Sequence, residues 1–110
     1  MAKDPDKLGI FVTSPVHIAE LVKIVEAAYR KGKKVKVFFT FKATQLVLHP
    51  DFVKIKNMLP EEDLAICLAA FVCDGFEPEY HNVAGLSNNQ LRTQAFHGEI
   101  IEEVGKYLVL

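Results

Sequence analysis

No stretch of this 110-residue chain approaches the roughly 20 consecutive apolar residues that a membrane-crossing helix needs. Within residues 1–7 no apolar stretch follows Lys3, so the N-terminus is not expected to be a secretory signal. The formal charge is only −1, and no global field points to nucleic acid or a membrane surface. Two cysteines are too few for a disulfide scaffold and fit a reducing cytoplasm. No glycine-rich phosphate fingerprint is present, because the first apolar run leads straight into Thr13-Ser14-Pro15. The histidines at 17, 49, 81 and 97 have no metal-ligand spacing with one another or with a cysteine, and Cys67 and Cys73 do not form a CxxC. Neither a metal nor a dithiol centre is expected. Internal repeats and low-complexity tracts are also missing. What remains is half apolar and one quarter charged, which excludes a disordered chain and suits one domain over 1–110.

The near-zero charge hides an asymmetry. Residues 1–55 hold ten Lys/Arg and five Asp/Glu, whereas 56–110 hold three and nine. Arg30, Lys31, Lys33, Lys34 and Lys36 crowd around Gly32. They read first as cations at a helix C-terminus followed by a solvated turn, with an anion or partner patch as the other reading. The opposed halves also permit a like-with-unlike contact between subunits.

After a polar lead-in over 1–7, Leu8–Thr13 is a short apolar run without helical period, as in a strand buried on both faces. Ser14 and Pro15 supply a helix cap and first turn. Ile18, Leu21, Val22, Val25, Ala28 and Tyr29 then form one helical stripe, and Gly32 stops it. Ile24 falls off the stripe, which hints at a subunit contact. Lys34–Thr40 reads as a second strand, Ala43–Leu48 as a short helix ended by His49-Pro50, and Asp51–Met58 as another turn or two. Leu64–Cys67 is a third strand running directly into a helical segment that Gly75 ends. Asn82–Leu86 is a weaker fourth strand, Ser87 is a cap for a helix over about 88–103, and Tyr107–Leu110 is a closing strand. This alternation predicts an α/β fold with a mainly parallel sheet and helices on both faces.

Ligands of such sheets bind beyond the carboxyl ends of the strands. That rule selects Thr13, Ser14 and His17 after the first strand, Thr40 and Lys42 after the second, Cys67 after the third, and Ser87 and Asn88 after the fourth. A thiol at the junction of a strand and a helix meets unpaired backbone N–H groups that favour the reactive thiolate. Such a thiolate can attack a sulfur donor and hold the transferred atom as a persulfide. The competing reading of Cys67 is a buried structural thiol, a common fate of free cysteine. Cys73 lies mid-helix. Were both cysteines on one helix they would stand about 9 Å apart along its axis, too far for a bridge. His17 is either an anion donor or, more simply, a surface histidine. His97, with Gln94 and Glu99, reads as an exposed helix face, and His49 as a loop residue.

The segment Leu64-Ala-Ile-Cys67-Leu-Ala-Ala-Phe-Val-Cys-Asp-Gly75-Phe resembles the cysteine region of the DsrE/DsrF-like proteins, especially the DsrE and TusD branch. The likeness extends to Gly9-Ile-Phe-Val-Thr-Ser-Pro, to Val35–Thr40 and to Gly98–Leu110, and so covers most of the chain. It implies a single DsrE-like domain with a flavodoxin-like three-layer sandwich around a five-stranded sheet. It also implies assembly into homo- or hetero-oligomers, often trimers or hexamers, and sulfur relay through Cys67, which would take sulfur as a persulfide and pass it to a partner cysteine. No cofactor is then required, since thiol exchange needs only a thiolate, access and a leaving group. The loop between the second and third strands departs from the relay members. So do Cys73 and Asp74, which stand where that branch commonly has basic residues. An alternative of another class is a non-catalytic, oligomeric small-ligand-binding or interaction module that uses the same strand-end cleft.

Overall fold

The computed structural model describes residues 3–110. In chain order the elements are β1 (Asp4–Val12), α1 (Ile18–Arg30), β2 (Lys34–Phe39), a 3-10 segment (Phe41–Leu48), α2 (Phe52–Met58), β3 (Leu64–Cys67), α3 (Leu68–Cys73), α4 (Tyr80–Val83), β4 (Leu91–Arg92), α5 (Ala95–Glu103) and β5 (Val104–Val109). The strands form one sheet in the order β4-β3-β2-β1-β5, and every pairing is parallel. This is the expected flavodoxin-like α/β sandwich, with its own strand order in place of 2-1-3-4-5.

The order explains why the two faces differ. From β1 to β4 the chain steps in one direction, and right-handed crossovers put every intervening helix on the same face. The connection from β4 to β5 runs back across the sheet and places α5 alone on the other face. Strand side chains alternate between these faces. Ile10, Val12, Val35, Val37, Phe39, Leu64 and Ile66 join α1, α2 and the 3-10 segment in the main core. Phe11, Phe38, Ala65 and Cys67 point the other way and pack with Phe96 and Ile100 of α5. A nine-residue helix cannot cover that face. Tyr107 and Val109, in register with Gly9 and Phe11 at the sheet's edge, are 57% and 59% exposed.

Several sequence expectations are corrected. The polar lead-in is strand from Asp4 onward, because backbone pairing to Val104 and Lys34 is indifferent to side-chain polarity. Its Met1 and Ala2 lie outside the described residues. Helix α1 starts at Ile18, not at Pro15. Ser14 accepts the Val16 N–H through Oγ at 3.4 Å, and this local turn delays the helix. Ala43–Leu48 is helical but of the tighter 3-10 form, beginning at Phe41. Residues 82–86 are no strand: Tyr80–Val83 is a helical turn, and the fourth strand is Leu91–Arg92. The last helix therefore covers only Ala95–Glu103, and β5 starts at Val104. Ile24, off the main stripe, is partly buried and packs against the main core. Among the described residues, no helix is long and apolar enough to cross a membrane.

Near the amino ends of the strands lies a network of charges. Lys7 Nζ reaches Asp63 Oδ1 and Glu103 Oε1, each at 2.8 Å, and Lys36 Nζ reaches Glu103 Oε2 at 2.8 Å. Burial by itself would raise the Glu103 pKa. Hydrogen bonds from Lys36 and Lys7, with their charges, outweigh it and hold the carboxyl below its ordinary 4.5. A carboxyl that is more acidic folded than unfolded adds stability above its unfolded pKa and loses it as pH falls through the folded value. Stability is thus expected to decline below about pH 4.5, and Glu103→Gln, which cannot titrate, should decline less steeply. Urea midpoints across the acid range measure both slopes. Parallel curves would show that Glu103 carries none of the acid dependence.

Candidate functional site

Three strand ends converge on Cys67. β3 is short and wholly buried, and its last residue is still extended (φ −68°, ψ 117°) before α3 begins at Leu68. Strand alternation turns the Cys67 side chain toward α5. Thr40, the first residue beyond β2, is fixed by its N–H bond to the Val12 carbonyl at 2.9 Å. Gln94 follows β4 by two residues and stands at the head of α5. Its Nε2 donates to Thr40 Oγ1 at 3.1 Å and to Cys67 Sγ at 3.3 Å. Its Oε1 lies 3.3 Å from His97 Nδ1. The His97 ring rests on Phe11, with centroids 3.8 Å apart.

Thr40, Cys67 and Gln94 form one side of a cleft of about 360 Å³, whose other walls are Phe41, Lys42, Ala69, Ala70, Cys73 and Asp74. That size suits a small ligand. Cys67 itself is 3% exposed, so its sulfur is part of the cleft wall and does not project into solvent. Phe41 stands at the mouth, 66% exposed, with a left-handed backbone (φ 49°). For a bulky side chain that conformation costs on the order of 1–3 kcal/mol, and the surrounding turn must hold it. Asp74 supplies part of that hold. Its nearly buried carboxylate accepts from Thr44 Oγ1 and lies 3.3 Å from Lys42 Nζ, tying the 3-10 segment to the end of α3. Both cysteines are free thiols, Cys73 on the exposed rim and Cys67 within. Among the described residues, no three His, Cys, Asp or Glu side chains come together as metal ligands.

Of the residues the strand-end rule selects, Thr40, Lys42 and Cys67 meet at this cleft. Thr13 and Ser14 do not. Their N–H groups bond to the Leu110 carbonyl at 2.7 and 3.2 Å, and Thr13 Oγ1 donates to it at 3.0 Å, so they close the sheet between β1 and β5. His17 precedes α1 with its side chain 44% exposed and Nδ1 4.0 Å from Glu20, a surface position. Ser87 and Asn88 lie at the wrong end of the sheet. With β4 at 91–92 they precede their strand, and Ser87 bonds to Glu61 before β3 begins. The same shift explains the missed residue. Beyond β4 the rule selects Gln94, which is exposed at the head of α5, as the sequence predicts, yet turns its amide to Cys67. A two-residue strand, Leu-Arg, leaves no pattern by which to place it.

A wider groove of about 990 Å³ runs between α5 and residues 61–62, and its walls hold the ion pairs Lys36–Glu103 and Arg92–Glu99. No thiol lines it. Both thiols line the smaller cleft. In comparisons with protein-family models, curated proteins and solved structures, nothing matches the chain.

Proposed function

We propose that the protein is a sulfur carrier in which Cys67 accepts sulfur as a persulfide and passes it to a partner cysteine. The observation that carries this reading is a thiol in the wall of a small cleft with a side-chain N–H aimed at its sulfur. In the loading step the Cys67 thiolate attacks the outer sulfur of a donor persulfide. A new S–S bond forms, the donor's S–S bond breaks, and the donor thiolate leaves with the electron pair. In the unloading step an acceptor thiolate attacks the outer sulfur held on Cys67, and the Cys67 thiolate is released. Each step is redox-neutral and calls for no cofactor. The cleft admits a small persulfide, while a protein thiol must approach past Phe41 and Cys73.

In this reading the subunit works in the cytoplasm as a homo-oligomer, a trimer or hexamer, or within a hetero-oligomer. Its partners are sulfur donor and acceptor proteins, and nucleic acid and membranes are not among them. Exposed Tyr107 and Val109, on the sheet face that α5 leaves open, support a contact between subunits. A second reading, a non-catalytic module holding a small ligand in the same cleft, is favoured by one observation, the near-complete burial of Cys67.

Intact mass after treatment with a small persulfide donor separates the two readings. Wild type and Cys73→Ser are expected to gain one sulfur and Cys67→Ser none. Folded wild type that stays unloaded beside a control carrier that loads would remove the carrier reading in favour of the binding module.

A further inference from the structure

We infer that Gln94 is the positioning residue of this site: its amide N–H groups hold anionic sulfur at Cys67, and His97 and Thr40 fix the amide's orientation. The inference rests on the sulfur-carrier reading and deepens it. A primary amide has two N–H donors at one end and an acceptor at the other. Here the donor end spans Thr40 Oγ1 and Cys67 Sγ, at 3.1 and 3.3 Å, and the acceptor end faces His97 Nδ1 at 3.3 Å. An amide oxygen accepts only, so Nδ1 carries the proton in this arrangement. Turning the amide over would set its oxygen against the sulfur, which anionic sulfur at Cys67 repels. The His97 ring is itself held in place by its tilted contact with Phe11, with centroids 3.8 Å apart.

The placement has a chemical consequence. Loading, unloading and the persulfide between them all put negative charge on sulfur at Cys67, either on its own Sγ or on the atom attached to it. A preorganised donor aimed where charge develops lowers the energy of such states more than that of the neutral thiol. Helix α3, only six residues long, is a weak alternative source of that stabilisation. Ala69, Ala70 and Phe41 make most of the remaining cleft lining apolar, and the Lys42 ammonium and Asp74 carboxylate, which also line it, are paired with each other at 3.3 Å. Gln94 also lies between the sulfur and solvent, since the residue is exposed while Cys67 is enclosed.

The test is the rate at which iodoacetamide alkylates Cys67 in the folded full chain at one fixed pH, with fragmentation mass spectrometry assigning the adduct to Cys67 or Cys73. Wild type is compared with Gln94→Lys, Gln94→Leu, Gln94→Glu and His97→Phe, each checked for an unchanged thermal midpoint. Leucine and glutamate approximate the size of glutamine, so access is held nearly constant while the donor is removed or replaced by a negative charge. The expected order is Lys above Gln, Leu about tenfold below Gln, and Glu lower again. His97→Phe keeps the ring on Phe11 but deletes the donor to Oε1, and should slow alkylation by about threefold. A packing role would not sort rates by charge. Rates that follow side-chain volume, that are equal across the series, or that are nil for Cys67 in every folded variant overturn the assignment. Persulfide loading of the same proteins keeps the two ideas apart. Wild type that takes up no sulfur defeats the carrier reading, whereas wild type and Gln94→Leu loading at the same rate defeats the role of Gln94 alone.

Discussion

Lys7→Met is expected to lower the folding stability by about 3–5 kcal/mol, the usual cost of stranding a buried charge. Lys7 and Asp63 are both nearly enclosed, and Lys7 Nζ bonds Asp63 Oδ1 and Glu103 Oε1 at 2.8 Å each. Burial by itself would lower the Lys7 pKa. Hydrogen bonds to Asp63 and Glu103, with their charges, outweigh it and raise the group above its ordinary 10.5. Methionine retains the volume of the lysine stem, so the loss is electrostatic and not a cavity effect. Glu103 keeps Lys36 as a partner, but Asp63 loses its ion pair. The double variant Lys7→Met/Asp63→Leu should recover much of the loss, because an apolar pair leaves no charge to desolvate. Urea unfolding of wild type, both single variants and the double variant measures the coupling. A Lys7→Met protein within about 1 kcal/mol of wild type would show the pair to be as weak as a surface bridge.

Two glycines near α5 are expected to respond to alanine with opposite signs. Gly9 lies on β1 under the helix, where a Cβ would stand 2.4 Å from Ile100 Cγ2 and 3.0 Å from Val104 Cγ2. Both obstructing methyls belong to β-branched side chains with little rotameric freedom, so the helix must lift away from the sheet. Gly9→Ala should therefore cost about 1–3 kcal/mol, the range for overpacked cores. Gly98 is within α5, and a Cβ there meets nothing within 4 Å. Gly98→Ala should stabilise by about 0.5–1 kcal/mol through the cost of glycine in a helix. Thermal and urea midpoints of the two variants test the contrast. Stabilisation by Gly9→Ala would mean that α5 is free to move off this face. Lifting α5 would also move Gln94 at its first turn, so Gly9→Ala is expected to slow Cys67 alkylation.

Much of the fold was legible because the relevant signals are local. Leu64–Cys67 is apolar and four residues long, and the helical stretch after it ends at Gly75, so the strand, the thiol and the helix are found where the residues place them. The stripe from Ile18 to Tyr29 faces the core as its spacing requires, and Gly32 (φ 72°) follows the helix in the left-handed conformation that glycine tolerates. Errors gathered where an element is too short or too polar to show a period. Asp4–Lys7 pairs as strand although three of its four residues are charged, since its neighbours supply the backbone partners. Asn82–Leu86 has a strand-like composition but takes a helical turn, and the sheet is completed by two residues, Leu91 and Arg92, that no pattern marks.

The residues alone determined an alternating α/β chain, a parallel sheet, and a cysteine at the carboxyl end of its third strand. They could do so because strand pleat, helical period and turn chemistry are each written within a few neighbouring positions. Only the tertiary structure decided what surrounds that cysteine. Gln94 reaches Cys67 across 27 positions and Thr40 across 54, and Thr13 is drawn away to Leu110 across 97. Such contacts are set by which strands lie side by side and by the face to which a crossover is confined. Neither leaves a mark on the local sequence, so the thiol could be read from the chain, whereas its donor became visible only in the fold.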